Sequence, residues 1–322
     1  MIFLSDIASN LRVQSSNSYS SVSLTLTVNS TAIVSNYAGR LISGYHEFLG
    51  IEEIVRAYML QNNLSVLSVT ATYTANTSAS ISSKALDVLY VGSRLRKSGS
   101  LTADIFTSYY FLTHYKVGFA AVGESYLLPY YADSSTTYFI TYTKQDGSTT
   151  VTSGNSSTGI STLSVNSITG AVKADVRMGN RTLTVYFLEM DVPVQLRFRN
   201  VFNAVEYVTF PGSTTKVPKT EFETAQIENV STMYDIEQLL DLQIKSPVLP
   251  SAMYNTLLNL CRSRKIEMND PYTSGGTTYN TWNVVQIKEY KLEESNNPNT
   301  PISIELTLQY ADKRNNDAVT VN

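Results

Sequence analysis

Val194-Gln195-Leu196-Arg197-Phe198-Arg199-Asn200-Val201-Phe202-Asn203-Ala204-Val205-Glu206-Tyr207-Val208-Thr209-Phe210 is a strand-like run. It opens the stretch, residues 194–268, whose reading decides the fold. Pro211-Gly212 follows as a turn signal. A second strand-like run covers 233–245. Ser246-Pro247-Val248-Leu249-Pro250-Ser251 then leads into a short amphipathic helix over 252–262, and Lys265-Ile266-Glu267-Met268 reads as a strand. Strand, turn, strand, helix, strand in this order describes a β-sandwich or barrel with one helix against it.

The chain has 322 residues, too many for one ordinary β domain, so two or three modules are expected. Charged residues make up only 16%, against about a quarter in typical soluble domains. Tyrosine alone supplies 22 residues, which suits pleated, half-buried β surfaces and tyrosine-rich contact faces. A net charge of -3 argues against nucleic acid as a partner, since phosphate backbones need clustered cations. The single cysteine, Cys261, excludes a disulfide scaffold and a cysteine zinc site; beside Leu257, Leu258 and Leu260 it reads as a small buried apolar residue. No apolar run reaches the length of a membrane span, and the start lacks a basic leader, so synthesis in the cytoplasm is expected.

Outward from the deciding stretch, the fold class reads as mainly β with a few short helices, in two or three β-sandwich or barrel modules. Residues 1–98 form an N-terminal β module with one helix. Val22-Ser23-Leu24-Thr25-Leu26-Thr27-Val28 alternates with period two, residues 36–40 signal a turn, and 47–62 is helical with Ile51, Ile54, Val55 and Tyr58 on one face. A strand over 64–74 carries one slip in its alternation, readable as a bulge. The polar run 94–100 marks a boundary. Residues 99–192 form a small immunoglobulin-like sandwich of short strands spaced by turn signals, with a hairpin turn at Asp146-Gly147 and a loop over 153–159. Residues 193–322 form the C-terminal module, with the helix at 252–262, long polar loops at 212–225 and 270–281, a hairpin of 282–292 with 302–310, and a fraying tail.

No catalytic residue and no metal or cofactor site is assigned. The two histidines, His46 and His114, stand in no ligand spacing. The carboxylate pairs Glu52-Glu53, Glu293-Glu294 and Asp235/Glu237 could serve sugar hydrolysis, but such pairs are usually solvated surface. Arg197 and Arg199 flank Phe198 and share one strand face; Arg262, Arg264 and Lys265 follow the helix. These five read either as an assembly interface meeting acidic patches on a neighbouring subunit, or as solvated strand edges and helix-end compensation. Tyrosines concentrate in the middle module. Tyr126, Tyr130 and Tyr131 are candidates for a binding surface that takes protein or host-surface glycan; the rival reading is cross-strand aromatic pairing.

The words Leu196-Arg197-Phe198-Arg199-Asn200-Val201-Phe202-Asn203 with Glu206 resemble tail proteins of phages and prophages from gut Bacteroidetes, in which a phrase like F-R-N-x-[FY]-[ND]-x-x-E recurs before a strand, a short helix and a final β-hairpin. The resemblance implies a last module with a helix packed on a sandwich like that of tail-tube and distal-tail proteins. It implies a non-enzymatic virion structural protein of the tail or baseplate, partnered by copies of itself in a ring (a hexamer among the options) and by other tail proteins. The alternatives are a receptor- or carbohydrate-binding β protein and a tail-associated glycan hydrolase.

Overall fold

The computed structural model describes residues 2–16, 20–75, 79–92, 111–113, 116–191, 193–227, 230–270, 272–274, 277–293, 297 and 300–311. The expected boundary at 94–100, His114, Tyr109, Tyr110 and the tail beyond 311 lie outside them. The fold is mainly β with a few short helices, as the alternating runs require.

The N-terminal elements are β1 (Ile2–Phe3), α1 (Ile7–Leu11), β2 (Val13–Gln14), β3 (Val22–Val28), β4 (Thr31–Ala38), β5 (Arg40–Ile42), β6 (Tyr45–Glu47), α2 (Ile51–Gln61), β7 (Val66–Ala75) and β8 (Ala79–Leu89). A five-stranded sheet runs β1-β8-β7-β3-β4, and β2-β6-β5 form a small second sheet. Every second residue of β3 is buried, as its alternation requires. Helix α2 buries Ile51, Val55 and Met59 at successive i+4 positions against this sheet. It starts at Ile51 rather than Glu47, because Gly50 takes a left-handed φ of 75° that breaks the helix and Glu47 belongs to β6. The turn expected at 36–40 is instead a kink: β4 runs through to Ala38 with Asn36 at φ 49°.

Next come β9 (Val117–Ala121), β10 (Ser125–Ala132), β11 (Thr137–Lys144), β12 (Thr149–Asn155), β13 (Gly159–Asn166), β14 (Ala171–Met178) and β15 (Arg181–Leu188). They make a sheet β12-β11-β14-β15-β9 facing the pair β10-β13, with β9 parallel to β15. Asp146-Gly147 makes the expected hairpin turn, with Asp146 Oδ1 accepting from Ser148 N at 2.9 Å. The loop expected at 153–159 is shorter, since β12 stays paired with β11 out to Asn155. Phe119 leaves this core for the next one, which ties β9 to the C-terminal sheet.

The last elements are β16 (Pro193–Arg199), β17 (Val205–Pro211), β18 (Ser213–Ile227), β19 (Val230–Lys245), α3 (Tyr254–Cys261), β20 (Ile266–Asn269), β21 (Tyr272–Ser274), β22 (Thr277–Tyr279), β23 (Trp282–Leu292) and β24 (Ile304–Tyr310). Seven of them form a sheet ordered β17-β16-β20-β23-β24-β19-β18. Its two edge strands, β17 and β18, are consecutive in the chain with only Gly212 between them. That connection closes only if the sheet curls until its edges meet at this end. Gly212 is required there: a Cβ would stand 3.0 Å from Val194 Cγ2 and 3.2 Å from the Lys245 carbonyl. Phe198, Phe210, Leu242, Ile244 and Leu257 fill the curl, each side chain contributing about 2 kcal/mol by burial. Cys261 is half-buried against this core, and burial pushes its thiol up to about 12.

Three expectations change here. The run 194–210 is not one strand but a hairpin, β16–β17, paired from Pro193↔Pro211 to Arg199↔Val205. The polar loop expected at 212–225 is β18, paired with β19 from Ser213↔Lys245 to Ile227↔Val230. The loop expected at 270–281 contains the small hairpin β21–β22. The hairpin of β23 with β24 forms as expected.

Strand β19 meets β24 only over 241–245. Beyond that point, among the described residues, β18 and β19 pair with each other alone. Residues 230–240 thus belong to a two-stranded arm projecting roughly 35 Å, at about 3.3 Å per residue. At its root Lys219 pairs with the buried carboxylate of Asp241.

Candidate functional site

The turn between β16 and β17 is where the N-terminal, middle and C-terminal parts of the chain meet. Asn200 organises it. Its Oδ1 accepts from Phe202 N at 2.9 Å and Ala204 N at 3.1 Å, which closes the turn. Its Nδ2 donates to the Leu112 carbonyl at 2.7 Å and to Glu206 Oε2 at 3.0 Å. Asn203 adopts φ 56°, a left-handed conformation that asparagine tolerates better than most residues. Its amide donates to the carbonyls of Leu64 at 3.0 Å and Met59 at 3.4 Å, which ties the turn to the end of α2 and the residues after it. Gly92 N donates to the Val201 carbonyl at 2.7 Å. Phe202 and Ala204 complete a separate small core with Leu89 and Leu112.

Glu206 closes the network from below. It is 1% exposed and accepts from Asn200 on one oxygen and from the Thr113 hydroxyl, at 3.1 Å, on the other. Burial pushes its carboxyl up to about 7, against the opposing pull of those two hydrogen bonds and of the Arg181 charge. The phrase Arg199-Asn200-Val201-Phe202-Asn203-Ala204-Val205-Glu206 is therefore a set of junction contacts: Asn200 and Glu206 join it to Leu112 and Thr113, Arg199 and Asn203 to the end of α2.

Above this turn lies an open-sided cleft of about 620 Å³. The end of α2 and Tyr90 form one wall, Arg199 and Asn203 the floor, and the segment after α3 the other wall. Of the five cations read from the sequence as an interface, the structure brings four together here: Arg199, Arg262, Arg264 and Lys265. Arg56, from α2, joins them. Arg197 does not. It bonds Glu267 Oε2 at 2.7 Å, and its guanidinium lies 4.5 Å from the centre of the Trp282 ring. The described lining holds no carboxylate, histidine or cysteine, so what the cleft offers is the binding of negative charge.

The three tyrosines lie elsewhere. Tyr126 and Tyr130 are 5% and 4% exposed, inside the middle core, and Tyr130 Oη accepts from Ser157 N at 2.9 Å. Tyr131 packs half-buried on the small core around Phe202. Packing against the sheet, not an open binding face, accounts for them, because β10 lies between two cores. His46 is buried on β6, the central strand of the small sheet. Among the described residues no three His, Cys, Asp or Glu side chains gather as metal ligands, and no helix is long and apolar enough to cross a membrane.

Sequence reading did not find Arg56, Tyr90, Asn203 or Glu206 as site residues. Asn203 and Glu206 had a signal, their place in the quoted phrase. Arg56 and Tyr90 had none, because they reach the cleft only through the packing of α2 and β8 onto the turn. No family model matches the chain, and no curated protein is similar to it.

Proposed function

We propose that the chain is a non-enzymatic structural protein of a tailed-phage virion, a tail or baseplate component that assembles into a ring of its own copies. The observation that carries this reading is the β18–β19 arm. Two strands of 15 and 16 residues extend well past the sheet that roots them. A long two-stranded ribbon is marginal alone and leaves backbone donors and acceptors along both edges, so it calls for a partner surface. A neighbouring copy supplies one in a head-to-tail ring, where unlike faces meet. The low charge content supports the same reading, since charged residues are depleted at interface cores. Assignment to a phage tail rests on the resemblance carried by Phe198 to Glu206.

The test is to replace residues 221–237 with an Asn-Gly turn and image both proteins by negative-stain electron microscopy. The intact chain is expected as rings and the shortened chain as single particles. Rings from the shortened chain would overturn the proposal.

A further inference from the structure

We infer that the cleft at the three-way junction is a binding site for a phosphoryl group carried by a small molecule. Arg56 is bonded to Glu52 at 2.5 Å and Lys265 to Glu267 at 3.4 Å, so two of the five cations have partners. Arg199, Arg262 and Arg264 make no ion pair among the described residues. Arg262 and Arg264 are exposed and solvated, but Arg199 is half-buried on the floor.

Its position is built rather than incidental. The guanidinium Nη1 donates to the Asn203 carbonyl at 2.9 Å and lies 3.5 Å from the Asn63 carbonyl. Ser263 Oγ accepts from Arg199 N at 3.1 Å and donates to its carbonyl at 2.9 Å, which ties the residue to the opposite wall. Carbonyl oxygens hold the guanidinium in place but do not cancel its charge. The carboxylate that acts on it from further off, Glu267, already has one oxygen on Arg197 and the other on Lys265. A partly desolvated cation without a counter-charge is costly, and an anion from outside the chain relieves the cost.

Phosphate fits better than a single carboxylate. Three arginines with no ion pair among the described residues meet at one opening, and a phosphate monoester carries nearly two negative charges and three acceptor oxygens in one place. Arginine presents paired N–H donors that match such oxygens two at a time. The volume, about 620 Å³, exceeds that of the phosphoryl group and leaves room for an organic portion, against which Tyr90, Leu60 and Asn259 are placed. This site is independent of the arm and goes beyond the proposed assembly.

The test is calorimetric titration of the full chain with inorganic pyrophosphate, ionic strength being matched with sodium chloride. One saturable site per chain is expected. Arg262→Ser and Arg264→Ser, both at exposed positions that leave the core alone, are each expected to weaken binding at least tenfold, whereas Lys291→Ser leaves it unchanged. Arg199→Gln is expected to abolish binding, with circular dichroism reporting whether it folds. No saturable heat with pyrophosphate, or unchanged affinity in the Arg262 and Arg264 variants, would overturn the inference. So would loss of rings in those two variants without any pyrophosphate binding by the parent protein, which would make the cleft a contact between copies.

Discussion

The turn at 199–206 and the arm over 213–240 are both polar stretches in an otherwise apolar module, and they do opposite things. In the turn, Asn200, Asn203 and Glu206 are 8%, 5% and 1% exposed, and every one is hydrogen-bonded to a different part of the chain. In the arm, the described backbone beyond 241–245 pairs only with the sister strand, and residues 213–216, 218 and 219 are exposed. Polarity in the first case means contacts already completed inside the fold. In the second it means a surface the fold itself does not use. Composition does not separate the two; only the location of the hydrogen-bond partners does.

If that contrast is right, the largest loss of stability comes from the turn. Asn200→Ala removes two donor and two acceptor contacts and leaves Phe202 N, Ala204 N and the Leu112 carbonyl without them. At about 1–3 kcal/mol per buried unsatisfied group, a loss of about 4 kcal/mol is expected in urea denaturation. A loss below about 1 kcal/mol would show that water replaces the side chain and that the turn is not a closed network.

Glu206 sharpens the contrast through pH. Its carboxyl, ordinarily near 4.5, is raised to about 7 in the fold, so between these values the folded chain holds a proton that the unfolded chain has released. The stability this contributes is fully present below about pH 4.5, is lost as pH rises towards about 7, and changes no further above it. The total swing is about 3 kcal/mol. Glu206→Gln, which keeps the shape and cannot ionise, is expected to flatten this slope in thermal melts between pH 4 and pH 8. An unchanged slope would mean that other groups set it.

Smaller effects are expected further out. Arg197→Ala removes a partly exposed pair with Glu267 and the stacking on Trp282, at about 1 kcal/mol. Shortening the arm by residues 221–237 is expected to cost the isolated subunit less than about 1 kcal/mol, because a two-stranded ribbon contributes little stability by its own pairing. A larger cost in dilute denaturation would mean that the arm belongs to the core and not to an interface.

How far the sequence revealed this depends on whether local pattern or long-range packing decides the feature. Val22–Val28 and Ile304–Tyr310 bury one face each, so their alternation shows in the residues. The break between β16 and β17 did not show, because the turn contains no glycine or proline; Asn203 supplies the left-handed residue and Asn200 the internal hydrogen bonds. Strand β18 was hidden for the opposite reason. Its described side chains, 213–219, are largely exposed, so no buried face shows there as an alternation, and the stretch reads as a loop. The cations of the cleft were visible on β16 and after α3, but their meeting with Arg56 and Tyr90 is a consequence of tertiary packing that no local spacing records.

Amide hydrogen exchange at two protein concentrations distinguishes an arm completed by another copy from a turn complete within one. In dilute, unassembled protein the amides of Phe202 and Ala204 are expected to be protected and those of 230–240 to exchange rapidly. In concentrated, assembled protein the first group stays unchanged and the second slows by at least tenfold. Arm amides that exchange equally fast at both concentrations, or that are already protected like the turn in dilute solution, would contradict the account.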